Sequence, residues 1–220
     1  MHQLDRNSVP APACIVPHNP ARRYGNLTSA QRAEIREALL MIQKERCAYC
    51  ERRVGTLNDE GHIEHFQNQA GHQQLETDWQ NLFWSCKDER SCGKHKDTCT
   101  VVGSTGKCRP FNVADIIKPC TDDPDHFMMF VSDGTIAPRE NLNVDELRRY
   151  SETLRVFQLA DAAFLRKSRE DAVKPYIGAL AALCVAGPDF LLQYIAGELD
   201  RIDSVPFATA IRHFLQSNQP

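Results

Sequence analysis

Two cysteine pairs constrain this chain more than any other feature. Cys47 and Cys50 are separated by two residues in "RCAYCERRVG", Cys86 and Cys92 by five in "SCKDERSC", and 35 residues lie between the pairs. Four thiolates on two such turns are the soft, tetrahedral ligand set of a structural zinc, whose binding then contributes directly to folding. Cys99 or Cys108 is the alternative to Cys92 as fourth ligand. The chain has nine cysteines, six of them between positions 47 and 108. An odd, clustered set argues for metal ligation over a complete disulfide framework. The competing reading is a group of unrelated reduced thiols in a core.

A zinc staple fixes both ends of the insert and leaves its imidazoles free for other work. The insert carries "GHIEHF", with Glu64 beside His65, and "DWQNLFWSC", with Asn81. Neighbours on a strand point to opposite faces, but a turn at the strand end can bring both to one place. The residue types suit single-metal phosphodiester hydrolysis. A neutral His65 takes a proton from water, Glu64 helps to hold a hard cation such as Mg2+ or Mn2+, and the Asn81 amide orients the imidazole. Alone, a Glu-His pair is surface decoration in most proteins; here two cysteine pairs enclose it. His62 reads as a strand-edge residue, and Trp79, Phe83 and Trp84 as a small core. Asp122, Asp123 and Asp125 in "TDDPDHF" read as a turn.

The segments "CAYC", "IEHF", "WQNLFWSC" and "CGKHKD" together resemble the HNH, or ββα-metal, endonuclease family. The core, with the later "TDDPDHFMMFVSDGTI" and "SETLRVFQL", is similar to the PtuB-like HNH subunits of Septu and retron antiphage systems, over about residues 25 to 175. The resemblance implies that His65 is the general base, Glu64 a metal-binding carboxylate, Asn81 the orienting asparagine, and Cys47, Cys50, Cys86 and Cys92 the zinc ligands. It also implies Lys96 as a phosphate contact, with Lys94 beside it; the plain alternative is a solvated helix face. One position departs from the pattern. Many members have a metal-binding His or Asn directly after the last cysteine, where this chain has Gly93. If the following residues are helical, Asp97 lies one turn on and His95 on roughly the opposite side, so Asp97 or His95, failing them water or His62, completes the metal's ligands.

The expected fold is α+β: a zinc-stapled ββα-metal module set between an N-terminal arm and helix and a helical C-terminal half. Residues 1–27, rich in Pro, Asn and Arg, read as an extended arm, 28–120 as the nuclease module, and 121–220 as a hairpin followed by helices. Thr28 with Gln31 forms a capping-box pattern ahead of an apolar stripe through Ile35, Leu39, Leu40 and Ile42. "HFMMFVSDGTIAP" reads as a hairpin turning at Asp-Gly. "YIGALAALCVAG" reads as a buried helix with Cys184 in the core. It is too short to span a bilayer, and the first residues lack the apolar stretch of a secretory signal. The expected location is therefore cytoplasmic, with no membrane partner.

A formal charge of −3 gives no global attraction to a polyanion. The local exception is Cys86 to Arg109, where six basic residues face three acidic ones. The leading expectation is thus a metal-dependent HNH endonuclease cutting DNA or RNA. By the resemblance, it is an antiphage effector working with an ATPase subunit of PtuA type, and in some systems with a retron reverse transcriptase and its RNA–DNA product. The C-terminal helices and the N-terminal arm are the expected docking surfaces. The alternative is a zinc-ribbon adaptor that binds a partner or nucleic acid without cutting.

Overall fold

The computed structural model describes residues 1–55, 60–99, 108–185 and 187–219. The loop expected at residues 102–107, with Lys107, lies outside them. The fold is α+β. Helix α1 (Ser29–Gln43) begins as its sequence predicts: Thr28 accepts from the Gln31 amide, and the Gln31 side chain accepts from the Thr28 amide. It buries Ile35, Leu39, Leu40 and Ile42 and stops where Lys44 turns left-handed. The cysteine turn at 47–50 follows directly.

Strands β1 (Gly61–His65) and β2 (Leu82–Cys86) form an antiparallel pair in which Glu64 faces Phe83 and His65 faces Leu82. Helix α2 (Cys92–Thr98) comes next. Gln43 locks α1 to this hairpin. Its side-chain amide donates to Arg46 O and Trp84 O, both at 2.7 Å, and its carbonyl accepts from the Trp84 amide at 2.8 Å.

The short helix α3 (Pro124–Phe127) is capped by Asp123 and runs into the expected hairpin of β3 (Met128–Phe130) and β4 (Ile136–Pro138). Gly134 at its turn has φ +81°, and an added Cβ would fall 2.0 Å from the Arg166 carbonyl, so only glycine fits. Helices α4 (Val144–Phe157), α5 (Ala163–Cys184), α6 (Pro188–Arg201) and α7 (Ala208–Ser217) complete the chain.

One hydrophobic core joins these parts. Tyr49, inside the first cysteine turn, stacks on Phe157 of α4 with ring centres 4.1 Å apart, and Phe66 and Phe83 pack around them. Two expectations need correction. The N-terminal segment is not a free arm: Met1, Leu4, Ile15 and Leu27 are buried, and the Leu4 amide donates to Pro119 O. Nor is the end of α5 buried. Cys184 is exposed and Val185 is 90% exposed, because α5 turns only the side carrying Val173 and Leu180 inward. Ile177, Phe190 and Leu192 are likewise exposed, leaving an apolar surface on α5 and α6. Among the described residues, no helix is long and apolar enough to cross a membrane.

Candidate active site and metal centre

The four cysteines converge from three elements. Cys47 and Cys50 come from the turn after α1, Cys86 ends β2 and Cys92 begins α2. Their sulfurs all lie within 4.8 Å of one another, and all four residues are buried. Zn–S bonds of about 2.3 Å in a tetrahedron set sulfurs about 3.8 Å apart; Cys50 and Cys86 stand at 3.9 Å. The Cys86 amide donates to the Cys47 sulfur at 3.4 Å. Donor set and spacing both fit a structural zinc. Cys99 and Cys108 are not alternative ligands, since a disulfide joins them to each other. That bond is one the clustered-thiol expectation missed.

Glu51 closes the first cysteine turn in the left-handed region, φ 62°, at a cost of about 1–2 kcal/mol for a residue with a Cβ. It is buried, and its carboxylate faces the Met1 ammonium at 2.7 Å, Arg46 at 3.5 Å and the Thr209 amide of α7 at 3.0 Å. Burial raises its pKa, but the Met1 ammonium, His2 and Arg46 outweigh burial and hold it well below the usual carboxylate range. The same side chain therefore anchors the cysteine turn to the N-terminus of α7.

The second centre lies at the end of β1. His65 is 8% exposed and donates from Nε2 to the Glu76 carbonyl at 2.9 Å. A carbonyl only accepts, so Nε2 carries the proton and Nδ1 keeps the lone pair. Burial lowers His65 below the ordinary imidazole range, against the raising effects of the Glu76 carbonyl and of Glu64, and so favours the neutral ring. Tyr24 packs edge-on against it at 5.0 Å. Neither Tyr24 nor Glu76 was legible in the sequence, because each reaches His65 only through the fold.

Glu64 is buried between two cations or donors. One carboxylate oxygen meets Lys96 Nζ at 2.8 Å and the other His62 Nε2 at 3.2 Å. Burial works to raise Glu64, yet Lys96 and His62 hold it below the usual range. Lys96 is fully buried, and its ammonium also donates to His65 O and to Asp97 Oδ1, both at 2.9 Å. It does not face solvent as a phosphate contact would; it is the counter-ion of the acidic pair. Lys94 is half-buried on α2.

Gly93 now has a reason. A Cβ there would fall 2.5 Å from a Glu64 carboxylate oxygen, so the missing side chain makes the space that Glu64 fills. Of the two candidates for the remaining ligand, Asp97 lines one cleft with His62, Glu64 and His65. Burial and the Glu64 charge raise its pKa. His95 is directed away: its Nδ1 donates to Val156 O at 2.8 Å and lies 3.9 Å from the Cys99 sulfur. His62, expected at a strand edge, joins the cluster instead, and its Nδ1 has no hydrogen-bond partner among the described residues.

Asn81 does not touch the imidazole. Its side chain accepts from the Gln67 amide at 2.8 Å and donates to Gln67 O and Leu75 O at 3.0 and 3.1 Å. It clamps the loop that presents the Glu76 carbonyl, so any orienting effect on His65 passes through the backbone. Asp122 and Asp125 are engaged with Arg149 and with Arg212 and His213. Among the described residues the basic run from Cys86 to Arg109 is partly neutralised: Lys96 is buried, Arg90 pairs with Asp88 and Arg109 with Glu152, while Lys87 is exposed.

Glu64 and Asp97 carry carboxylates and His62 an orphaned ring nitrogen, ligand types that a hard divalent ion accepts, but their ligand atoms do not all gather within 4.8 Å of one another as the four sulfurs do. Lys96 already neutralises part of that charge, so an ion here shares Glu64 with the ammonium or displaces it. No protein-family model matches this chain, and comparison with curated proteins returns no match.

Proposed function

We propose that this chain is a metal-dependent HNH-type endonuclease that hydrolyses phosphodiester bonds of DNA or RNA. One observation carries the reading: a buried His65, whose Nε2 meets the Glu76 carbonyl, lines the same cleft as Glu64 and Asp97. His65 Nδ1 takes a proton from a water, and the water oxygen attacks phosphorus. Glu64 and Asp97, with His62 beside them, would hold a Mg2+ or Mn2+ ion, which would supply charge stabilisation at the departing oxygen as its bond to phosphorus breaks. Lys96 keeps the Glu64 carboxylate ionised and in place. A structural zinc at Cys47, Cys50, Cys86 and Cys92 fixes the hairpin against α2. The resemblance supports a role as an effector beside an ATPase subunit of PtuA type, in some settings with a retron reverse transcriptase. The exposed Ile177, Val185, Phe190 and Leu192 offer a surface for such a partner.

One observation favours the adaptor reading: the Lys96 ammonium already satisfies Glu64 without any divalent ion. Nicking of supercoiled plasmid and of structured RNA separates the two. With Mn2+ or Mg2+ the wild type should cut, EDTA should abolish cutting, and His65→Ala should lower the rate by about 10²–10⁴-fold. Equal cutting by His65→Ala, or none by the wild type alone or with its ATPase, leaves the adaptor.

A further inference from the structure

The cleft at His65 has a neighbour, with which it shares two residues of β1. His62 and Ile63 also line a second cleft of about 320 Å³, whose other walls are Tyr24, Arg32, Arg36 and Lys87. The two clefts differ in charge. Glu64 and Asp97 line the first; the second has three cationic side chains and no carboxylate among its described lining residues. Arg32 and Arg36 are four residues apart on α1 and so share one helix face.

Arg32 is positioned by the same residues that position His65. Its guanidinium donates to Gly25 O at 3.1 Å and lies 5.1 Å over the Tyr24 ring. That ring also packs edge-on against His65 at 5.0 Å, and the Tyr24 amide donates to the Glu76 carboxylate at 2.8 Å. Glu76 in turn supplies the carbonyl that fixes His65. A cation and the candidate base thus contact the same aromatic ring.

We propose that this second cleft is a backbone subsite for a nucleic-acid strand, holding the phosphates next to the one presented to His65. It deepens the nuclease reading and rests on it. Cations on a groove wall bind phosphate without reading bases, so recognition here is independent of sequence. The arrangement also accounts for a chain of net negative charge acting on a polyanion: the attraction is confined to the entrance of the site.

Fluorescence anisotropy with a short labelled single-stranded oligonucleotide, with no divalent ion added so that nothing is cut and the zinc is kept, tests the subsite. The wild type should bind with a salt dependence. Lys87→Glu and Arg36→Glu should weaken binding alike for strands of different base composition, and replacing a cation by Ala should lower the logarithmic salt slope by about 1. Lys87 is exposed, so its variant keeps its fold even if changes at Arg32 disturb Tyr24. Lys174→Glu on α5 should bind as the wild type does. Unchanged affinity and slope in the Lys87 and Arg36 variants overturns the subsite, as does a wild type that binds no strand. Parallel nicking with Mn2+ keeps the two readings apart: cutting with charge-indifferent binding sinks the subsite alone, and charge-dependent binding without cutting sinks the nuclease alone.

Discussion

Gly93, Glu64 and Lys96 form one steric and electrostatic unit, and each makes a different prediction. Gly93→Ala inserts a methyl group where the Glu64 carboxylate lies and should cost about 1–3 kcal/mol of stability, read by urea unfolding, while displacing Glu64. Lys96→Met strands a buried carboxylate and should cost about 3–5 kcal/mol. If Glu64 and Asp97 form a cation site, Mn2+ should raise the melting temperature of Lys96→Met more than that of the wild type; no such gain would count against the site. His65 gives a sign for pH. Its proton-accepting form prevails above a pKa lowered by burial, so the acid limb of a nicking profile should lie below the ordinary imidazole range of about 6.5. Glu64 and His65 were legible as a pair in the sequence. Lys96 was singled out as a phosphate contact, with a solvated helix face as the alternative; its place among three oxygens appears only in the fold.

The hairpin and α2 are held at their ends by sulfur and in the middle by Asn81. Metal analysis of the purified chain should give one zinc, and Cys92→Ala should lose it together with the register of α2 on β2, seen as a lower melting temperature. Asn81→Ala orphans the Gln67 amide and two carbonyls. About 1–3 kcal/mol for each buried group left unpaired is expected, with faster hydrogen exchange at the Gln67 amide. Local signals served well at this scale. The Thr28–Gln31 box, the Cys47–Cys50 turn and Asp133-Gly134 each encode their own geometry within a few residues. Asn81 misled because its partners are set by the path of the loop, and Cys184 because an apolar helix does not state which of its faces will be covered.

Across the whole molecule, the cysteine turn, the N-terminal segment and α7 meet at Glu51. A carboxylate whose folded pKa is depressed stabilises above the ordinary carboxylate range, and that stability is lost as pH falls through the folded value. His2, lowered to about 4 chiefly by burial, acts earlier on the same descent. The unfolded chain takes up its proton below about 6.5, so unfolding is favoured progressively from there to about pH 4. Urea midpoints should therefore fall from pH 7 to 4, and His2→Gln should flatten the upper part of that fall. The Gln43 bridge has a consequence of its own. Since α1 cannot slide along β2 while that amide holds both Trp84 backbone groups, the interval from Arg32 to His65 is fixed by the fold. If the chain is the nuclease proposed above, a strand gripped at one end of that interval would be severed at a constant offset, whatever its letters spell.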